Sequence, residues 1–307
     1  MSVSLCIATH RRNEQLRQLL DDMVAQTLSP AELVVVDNTA EGGAREVVEQ
    51  RMRYGTPFQI RYEVQPIQNI SLTRNRTVDL ATGSWIAFID DDERAQPPWL
   101  ELMLATAERY RADVVLGPVE PMLPPQAPPW IRRGSFYNWP RMTTGTVVPA
   151  NLLRFGNVLM RSELLKGDAP PFDPAYGLTG GEDGAMLTRL ARRGARIVWC
   201  DEAAVVEPVA PTRLSLRWLC LRALRGGQDF SRHTLDGGYG AATHTRTTLL
   251  ALRSLAQMLV AGSLVPLTLP LGRHQAAHWI IKATANFGKL SLLCGWRYDE
   301  YARRTSP

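Results

Sequence analysis

The sequence predicts an α/β fold: a mostly parallel sheet flanked by helices, followed by a helical C-terminal extension. Three observations predict it. Short apolar runs of strand length alternate with segments of helical period through the first two thirds of the chain. Two of those runs, Leu33–Val36 and Trp85–Ile89, are apolar throughout and then stop abruptly at acid, as buried parallel strands do when their C-terminal ends open on a crevice. The charge is also divided. From Arg213 onward there are 13 Lys+Arg and 4 Asp+Glu, so a net acidic region 1–212 precedes a basic region 213–307. The 307 residues, 45% hydrophobic and 21% charged, suit one large domain with an appendage.

The elements follow in order. Val3–Ala8 is a first strand, leading into Thr9-His10-Arg11-Arg12-Asn13. Glu14–Gln26 is a helix with Leu16, Leu19, Leu20 and Met23 on one face, and Ser29-Pro30 breaks the chain after it. Leu33–Val36 is a second strand ending at Asp37-Asn38. A helix near Ala44–Met52 and a third strand, Ile60–Val64, come next. Ser71–Ala81 is a helix carrying Arg74, Asn75 and Arg76, and Gly83 stops it. Trp85–Ile89 is the fourth strand. It runs into Asp90, Asp91, Asp92 and Glu93, and no buried strand can continue through adjacent carboxylates. Pro97–Tyr110 is a helix with proline in its first turn, and Asp113–Gly117 is a strand. Pro118–Arg141, rich in proline and aromatics, is a long loop over a site. Asn157–Met160 is strand-like. A loop with three glycines leads to Glu182-Asp183 and a helix over about Gly184–Arg193, and Arg196–Cys200 is a strand.

Carboxylates at a strand end suit a hard divalent cation, Mg²⁺ or Mn²⁺, and such a cation suits a phosphate-bearing substrate. An inert acidic turn is the plainer alternative. The company of the cluster bears on the choice. ATHRR follows the first strand, VVDN the second, then come the TRNR helix, FIDDDE, Gly156-Asn157 and GGED before a helix. This ordered set resembles the family-two nucleotide-sugar glycosyltransferases with the Rossmann-like GT-A fold. It is closer to bacterial enzymes that build exopolysaccharide or lipopolysaccharide on lipid carriers. The resemblance covers roughly residues 3–210.

The resemblance implies a metal-dependent, inverting transfer of sugar from a nucleotide donor, UDP-linked by preference, to a glycan or polyprenyl-linked acceptor. Thr9, Arg11, Asp37, Arg74 and Asp90 would bind the donor, and Asp92 the metal. Asp183 would be the general base, with Glu182 and Asn157 on the acceptor side. Each has a plainer alternative: a helix cap for Asp37 and for Glu182-Asp183, a surface charge paired with Asp79 for Arg74, a turn residue for Asn157. Arg12 is read as solvent-facing, and Asp91 as pointing into the fold or sharing the metal. Glu207 stands where many such enzymes have a late histidine ligand, and is read as a strand-end acid.

In the basic region, Leu214–Arg225 is a helix stopped by Gly226-Gly227, with Trp218, Arg222 and Arg225 on one face. Trp218 and Arg222 are acceptor candidates, with packing as the alternative. Ser254–Gly272 carries no charge over 19 residues but is interrupted by Pro266 and Pro270. The following segment is amphipathic, with Gln275, His278, Lys282, Asn286 and Lys289 opposite Trp279, Ala283, Phe287 and Leu290. With the positive balance, these predict attachment to a membrane surface rather than a span, at the cytoplasmic face of the plasma membrane. The opening MSVSLCIATH reads as a strand and not a signal peptide, and four dispersed cysteines fit a reducing compartment. Contact with a second copy of the chain is left open. The positive charge accompanies apolar stretches and no base-reading motif, which argues against nucleic acid as partner. Two rivals remain. A sugar nucleotidyltransferase would want a glycine-rich loop in place of ATHRR, and a non-catalytic carbohydrate- or membrane-binding protein would have no use for Asp92 and Asp183.

Overall fold

A computed structural model of the chain describes residues 1–167, 169–237 and 243–298. The predicted C-terminal region therefore includes two stretches, 238–242 and 299–307, that lie outside the described residues. The elements in chain order are β1 (Val3–Thr9), α1 (Asn13–Val24), β2 (Glu32–Asp37), α2 (Arg45–Tyr54), β3 (Gln59–Val64), α3 (Ile70–Leu80), β4 (Trp85–Phe88), β5 (Arg94–Ala95), α4 (Trp99–Arg109), β6 (Val114–Leu116) and β7 (Val119–Met122). They continue with α5 (Pro129–Gly134), β8 (Val158–Arg161), α6 (Glu182–Arg192), β9 (Ile197–Trp199), β10 (Val205–Pro208), α7 (Leu216–Leu235), α8 (His244–Thr268) and α9 (Arg273–Leu293).

Seven strands form the main sheet in the order β3-β2-β1-β4-β8-β6-β9. β8 alone runs antiparallel to its neighbours β4 and β6. The order reverses at β1, whose parallel partners are β2 on one side and β4 on the other. The carboxyl ends of these three strands therefore open on one crevice, the usual ligand position in such sheets. The sheet is apolar on both faces because both are covered. Leu5, Ile7, Leu33 and Val35 pack with α1, α2 and α4 through Leu16, Leu20, Val48, Trp99 and Met103. Cys6, Val34, Val36, Ile86 and Phe88 pack with α3 and α6 through Val78, Met186 and Leu190. A short second sheet has the order β5-β10-β7.

The chain divides into two units. The first is Met1–Glu120 with Trp139–Glu207, and the second is Pro121–Asn138 with the chain from Pro208 onward. In the second unit α7 packs along α9, and Gly227 and Gly288 explain how closely. A Cβ added to Gly227 would lie 2.0 Å from the Ala285 carbonyl oxygen, and one added to Gly288 would lie 2.1 Å from that of Leu224. Gln228 and Ser231 donate across the same seam to the Ser291 hydroxyl and the Lys289 carbonyl.

Several sequence expectations are corrected here. Pro118–Arg141 is not one loop, since it contains β7 and α5. Gly226-Gly227 does not stop α7, which continues to Leu235 because packing against α9 outweighs the roughly 1 kcal/mol helix cost of each glycine. On α9 the predicted polar face is exposed at Gln275, His278 and Lys282, but its Asn286 is buried, while Phe287 of the opposite face is exposed. Small residues line its buried side, so the seam selects for size rather than hydrophobicity. α6 begins at Glu182, two residues before the predicted start.

Candidate active site

The site is built from the carboxyl ends of β1, β2 and β4, the start of α3 and the start of α6. Beyond β4 the backbone turns tightly. The Glu93 amide donates to the Asp90 carbonyl, and the Asp90 amide donates to the Glu93 carboxylate, at 3.0 Å each. Glu93 thus closes the acidic turn from inside. Burial raises its carboxyl well above the usual range, and Asp90 adds to the effect.

Asp91 points into the fold. It accepts from the Thr9 hydroxyl at 2.8 Å, the His10 amide at 3.4 Å and Arg12 Nη1 at 2.6 Å. Burial pushes its carboxyl up to about 6, with Arg12 opposing and Asp92 adding. Arg12 is not solvent-facing, because its Nη1 also lies 3.0 Å from Asp92. Burial opposes its charge, but Asp91 and Asp92 outweigh burial and hold it protonated. Arg12 therefore locks the first turn to the acidic one.

Two predicted donor contacts, Thr9 and Asp37, are corrected, while Arg11 stays open to solvent. Thr9 is buried and its hydroxyl serves Asp91, so it shapes the crevice rather than facing it. Asp37 is 0% exposed. One of its oxygens accepts from the Thr39 amide and hydroxyl, the other from the Ala44 amide and the Tyr62 hydroxyl. Four hydrogen bonds saturate it as a brace between β2 and α2. Arg11 is exposed with φ at 55°, and its guanidinium lies 3.5 Å from Glu41.

Arg74 is where the site converges. It is buried at 8% exposure, and it is Arg76, not Arg74, that approaches Asp79. Its Nη2 lies 3.2 Å from Asp90, and its Nη1 lies 2.5 Å from Glu182 and 3.6 Å from Asp183. The guanidinium rests 4.6 Å above the ring of Phe155, which packs with Phe88 and Phe172. One cation thus ties the end of β4 to the start of α6. Asn75, one residue on, holds the same juncture. It exchanges two hydrogen bonds with the backbone of Phe172, at 2.7 and 2.9 Å. The signal for Asn75 in the sequence is its place inside TRNR.

Gly180 and Gly181 both take positive φ, 80° and 91°, which turns the chain into α6 and brings Glu182 and Asp183 to its first turn. Glu182 is buried on Arg74. The Asp183 side chain is 32% exposed, so it can meet a substrate. Asn157 departs from its predicted acceptor role. It is 1% exposed, its carbonyl accepts from the Trp99 indole, and its amide donates to Pro118 and Ala203 carbonyls. Trp218 and Arg222 belong to the second unit. There the Trp218 ring stacks on Tyr137 at 5.8 Å, with Arg222 5.4 Å and Arg213 5.7 Å from its centre.

Among the described residues no three His, Cys, Asp or Glu side chains converge as a metal cage. What remains is a pair of carboxylates on one turn, Asp90 and Asp92. Burial pushes Asp90 up, Arg74 opposes, and repulsion from Asp92 adds. A crowded carboxylate pair fits Mg²⁺ or Mn²⁺, which bind through one or two carboxylates and take their remaining ligands from phosphates and water.

Comparison with known proteins agrees with this architecture. Residues 4–149 match the pattern of "Glycosyl transferase family 2". The chain is 35% identical over 246 residues to the succinoglycan biosynthesis protein ExoM of Rhizobium meliloti (strain 1021), covering 78% of this chain and 77% of that one. Two solved structures share the fold. The mannosyltransferase PcManGT from Pyrobaculum calidifontis, in complex with GDP-Man and Mn²⁺, aligns with TM-score 0.63 at 17% identity over 95% of this chain and 86% of that one. S. aureus TarS 1–349, in complex with UDP, aligns with TM-score 0.54 at 18% identity over 97% and 93%. The sheet is the GT-A type, and with a relative matched over three quarters of both chains, this protein is a glycosyltransferase that belongs to glycosyltransferase family 2.

Proposed function

We propose that the enzyme performs a metal-dependent, inverting transfer of sugar from a nucleotide-sugar donor to a hydroxyl of a glycan or polyprenyl-linked glycan, in cell-surface polysaccharide biosynthesis. The observation that carries this is the Arg74 bridge, which joins Asp90 at the donor end to Glu182 and Asp183 at the acceptor end. Asp183 takes the proton of the acceptor hydroxyl as that oxygen attacks the anomeric carbon. The bond from the anomeric carbon to the diphosphate breaks on the opposite face, and the nucleoside diphosphate leaves with the electron pair. A direct displacement needs one basic carboxylate and no covalent intermediate, so Arg74 and Glu182 serve to hold Asp183 in place. Asp92, with Asp90, would hold Mg²⁺ or Mn²⁺, which when bound neutralises charge on the leaving diphosphate.

The relatives support the substrate class. ExoM is named for succinoglycan biosynthesis, TarS was solved with UDP, and PcManGT with GDP-Man and Mn²⁺. A UDP-sugar remains the first donor to try. In the second unit, Trp218 with Arg222 offers an aromatic and a cation suited to an acceptor's sugar and phosphate.

Membrane attachment belongs to the same reading. Residues His244–Leu271 form one helical stretch long and apolar enough to cross a bilayer. Leu249, Leu252 and Leu259 are each more than 60% exposed on it. The stretch carries arginines and no carboxylate, a composition suited to the anionic cytoplasmic leaflet. Lying in the interface is the reading adopted over spanning, because the stretch carries Arg246 and Arg253 in its first half and Pro266 within its last turn, and a lipid-linked acceptor is presented there. A thermal-shift panel of UDP- and GDP-sugars with and without Mn²⁺ tests the donor assignment. Stabilisation by at least one nucleotide sugar that depends on Mn²⁺ is expected, and no response to any of them would refute it.

A further inference from the structure

We infer that Arg154 is a binding residue of the catalytic site, taking a phosphate oxygen of the sugar donor's diphosphate. This rests on the nucleotide-sugar reading above and adds a contact to it.

The three residues Arg154, Phe155 and Gly156 run along the site. Phe155 is the platform beneath Arg74. Gly156 has φ at 117° and abuts the acidic turn, where a Cβ added to it would lie 2.9 Å from the Glu93 carboxylate and 3.8 Å from that of Asp90. Arg154 enters the same region from the exposed end of that segment. Its guanidinium rests 4.6 Å from the centre of the Trp139 ring. Its Nη1 is buried and has no hydrogen-bond partner among the described residues. The acids that favour its charge are Glu207, Glu93, Asp90 and Asp183. Burial pulls its guanidinium below the usual value against the attraction of those four.

The contrast with the other two arginines is what assigns a role. Arg12 and Arg74 are each held by at least two carboxylates within 3.2 Å. Arg154 is held by an aromatic face instead, with an N–H left over. A buried donor without a partner is costly and native structures rarely leave one unexplained. A guanidinium reserved beside a crowd of carboxylates is suited to an incoming anion, and its planar fork matches phosphate. In an inverting transfer the anion at the β4 end is the donor diphosphate. A phosphate carried by a lipid-linked acceptor has the same chemistry, so the test must separate the two.

Arg154→Gln and Arg154→Lys in the full-length enzyme are the variants. Binding of UDP and GDP, each with Mn²⁺, is measured by titration calorimetry, and KM is measured separately for donor and acceptor. Loss of one charge-assisted contact is expected to weaken the nucleoside diphosphate that binds wild type by about tenfold to a hundredfold in Arg154→Gln. Arg154→Lys should recover part of it. Donor KM should rise while acceptor KM stays within about twofold, and the melting temperature should be unchanged or higher, because a buried donor without a hydrogen-bond partner has been removed. Unchanged diphosphate binding in Arg154→Gln would overturn the inference. So would an effect confined to acceptor KM, or a lowered melting temperature with binding intact. If wild type itself binds neither nucleotide, the donor reading fails and this contact fails with it.

Discussion

In the proposed chemistry Arg74 sets the geometry, because its guanidinium reaches three carboxylates, one on the turn after β4 and two at the start of α6. Lysine has one ammonium and cannot bridge them. Arg74→Lys is therefore expected to lose about a hundredfold or more in turnover, with a smaller change in donor KM. Steady-state kinetics checks this, and equal losses in every parameter through unfolding would count against it. Glu32 gives a second prediction. Burial pushes its carboxyl up, but the hydroxyls of Ser4 and Thr82, the Thr82 amide and Arg61 outweigh burial and hold it below its usual value. A carboxyl lowered on folding stabilises the protein above its unfolded value and loses that contribution as pH falls through its folded value. Glu32→Gln should thus cost about 1–3 kcal/mol at neutral pH, with the gap to wild type closing below pH 4.5, in chemical denaturation across pH. At this scale the sequence shows which residue types stand at strand ends and hides which way they turn. Asp90, Glu182 and Asp183 stand out in the sequence as acids at a strand end and a helix start, and the structure gathers all three on Arg74. Asp37, Thr9 and Asn157 were assigned to substrate, yet partners distant in sequence, from Tyr62 to Ala203, had already claimed them.

At the scale of elements, periodicity exposes the parallel strands and the helices between them, because burial on both faces leaves uninterrupted apolar runs. It fails where small size, not hydrophobicity, decides packing. Gly226-Gly227 looks like a stop signal and is instead part of the close seam between α7 and α9. Gly227→Val places new atoms on the Ala285 carbonyl. It should lower the melting temperature by several degrees, an overpacking cost of about 1–3 kcal/mol. The seam's role would be refuted by an unchanged melt. β7 escapes the pattern because it is short and half polar, held by its neighbours and not by its own periodicity.

For the whole molecule, the charge division between the acidic front and basic rear fits the two kinds of work proposed above, sugar transfer and attachment. The exposed leucines of α8 separate these experimentally. Leu249→Glu with Leu252→Glu and Leu259→Glu alters no buried contact, so soluble-acceptor turnover should be retained. Flotation with vesicles containing anionic lipid should fall by about tenfold or more, and undiminished flotation would remove α8 from the attachment surface. The central claim is that one carboxylate, Asp183, does the proton transfer while the β4 turn holds the donor. Its most direct test is Asp183→Asn, with turnover and donor affinity measured side by side. Turnover should fall by about a thousandfold with donor affinity within about twofold of wild type; turnover within tenfold of wild type would contradict it.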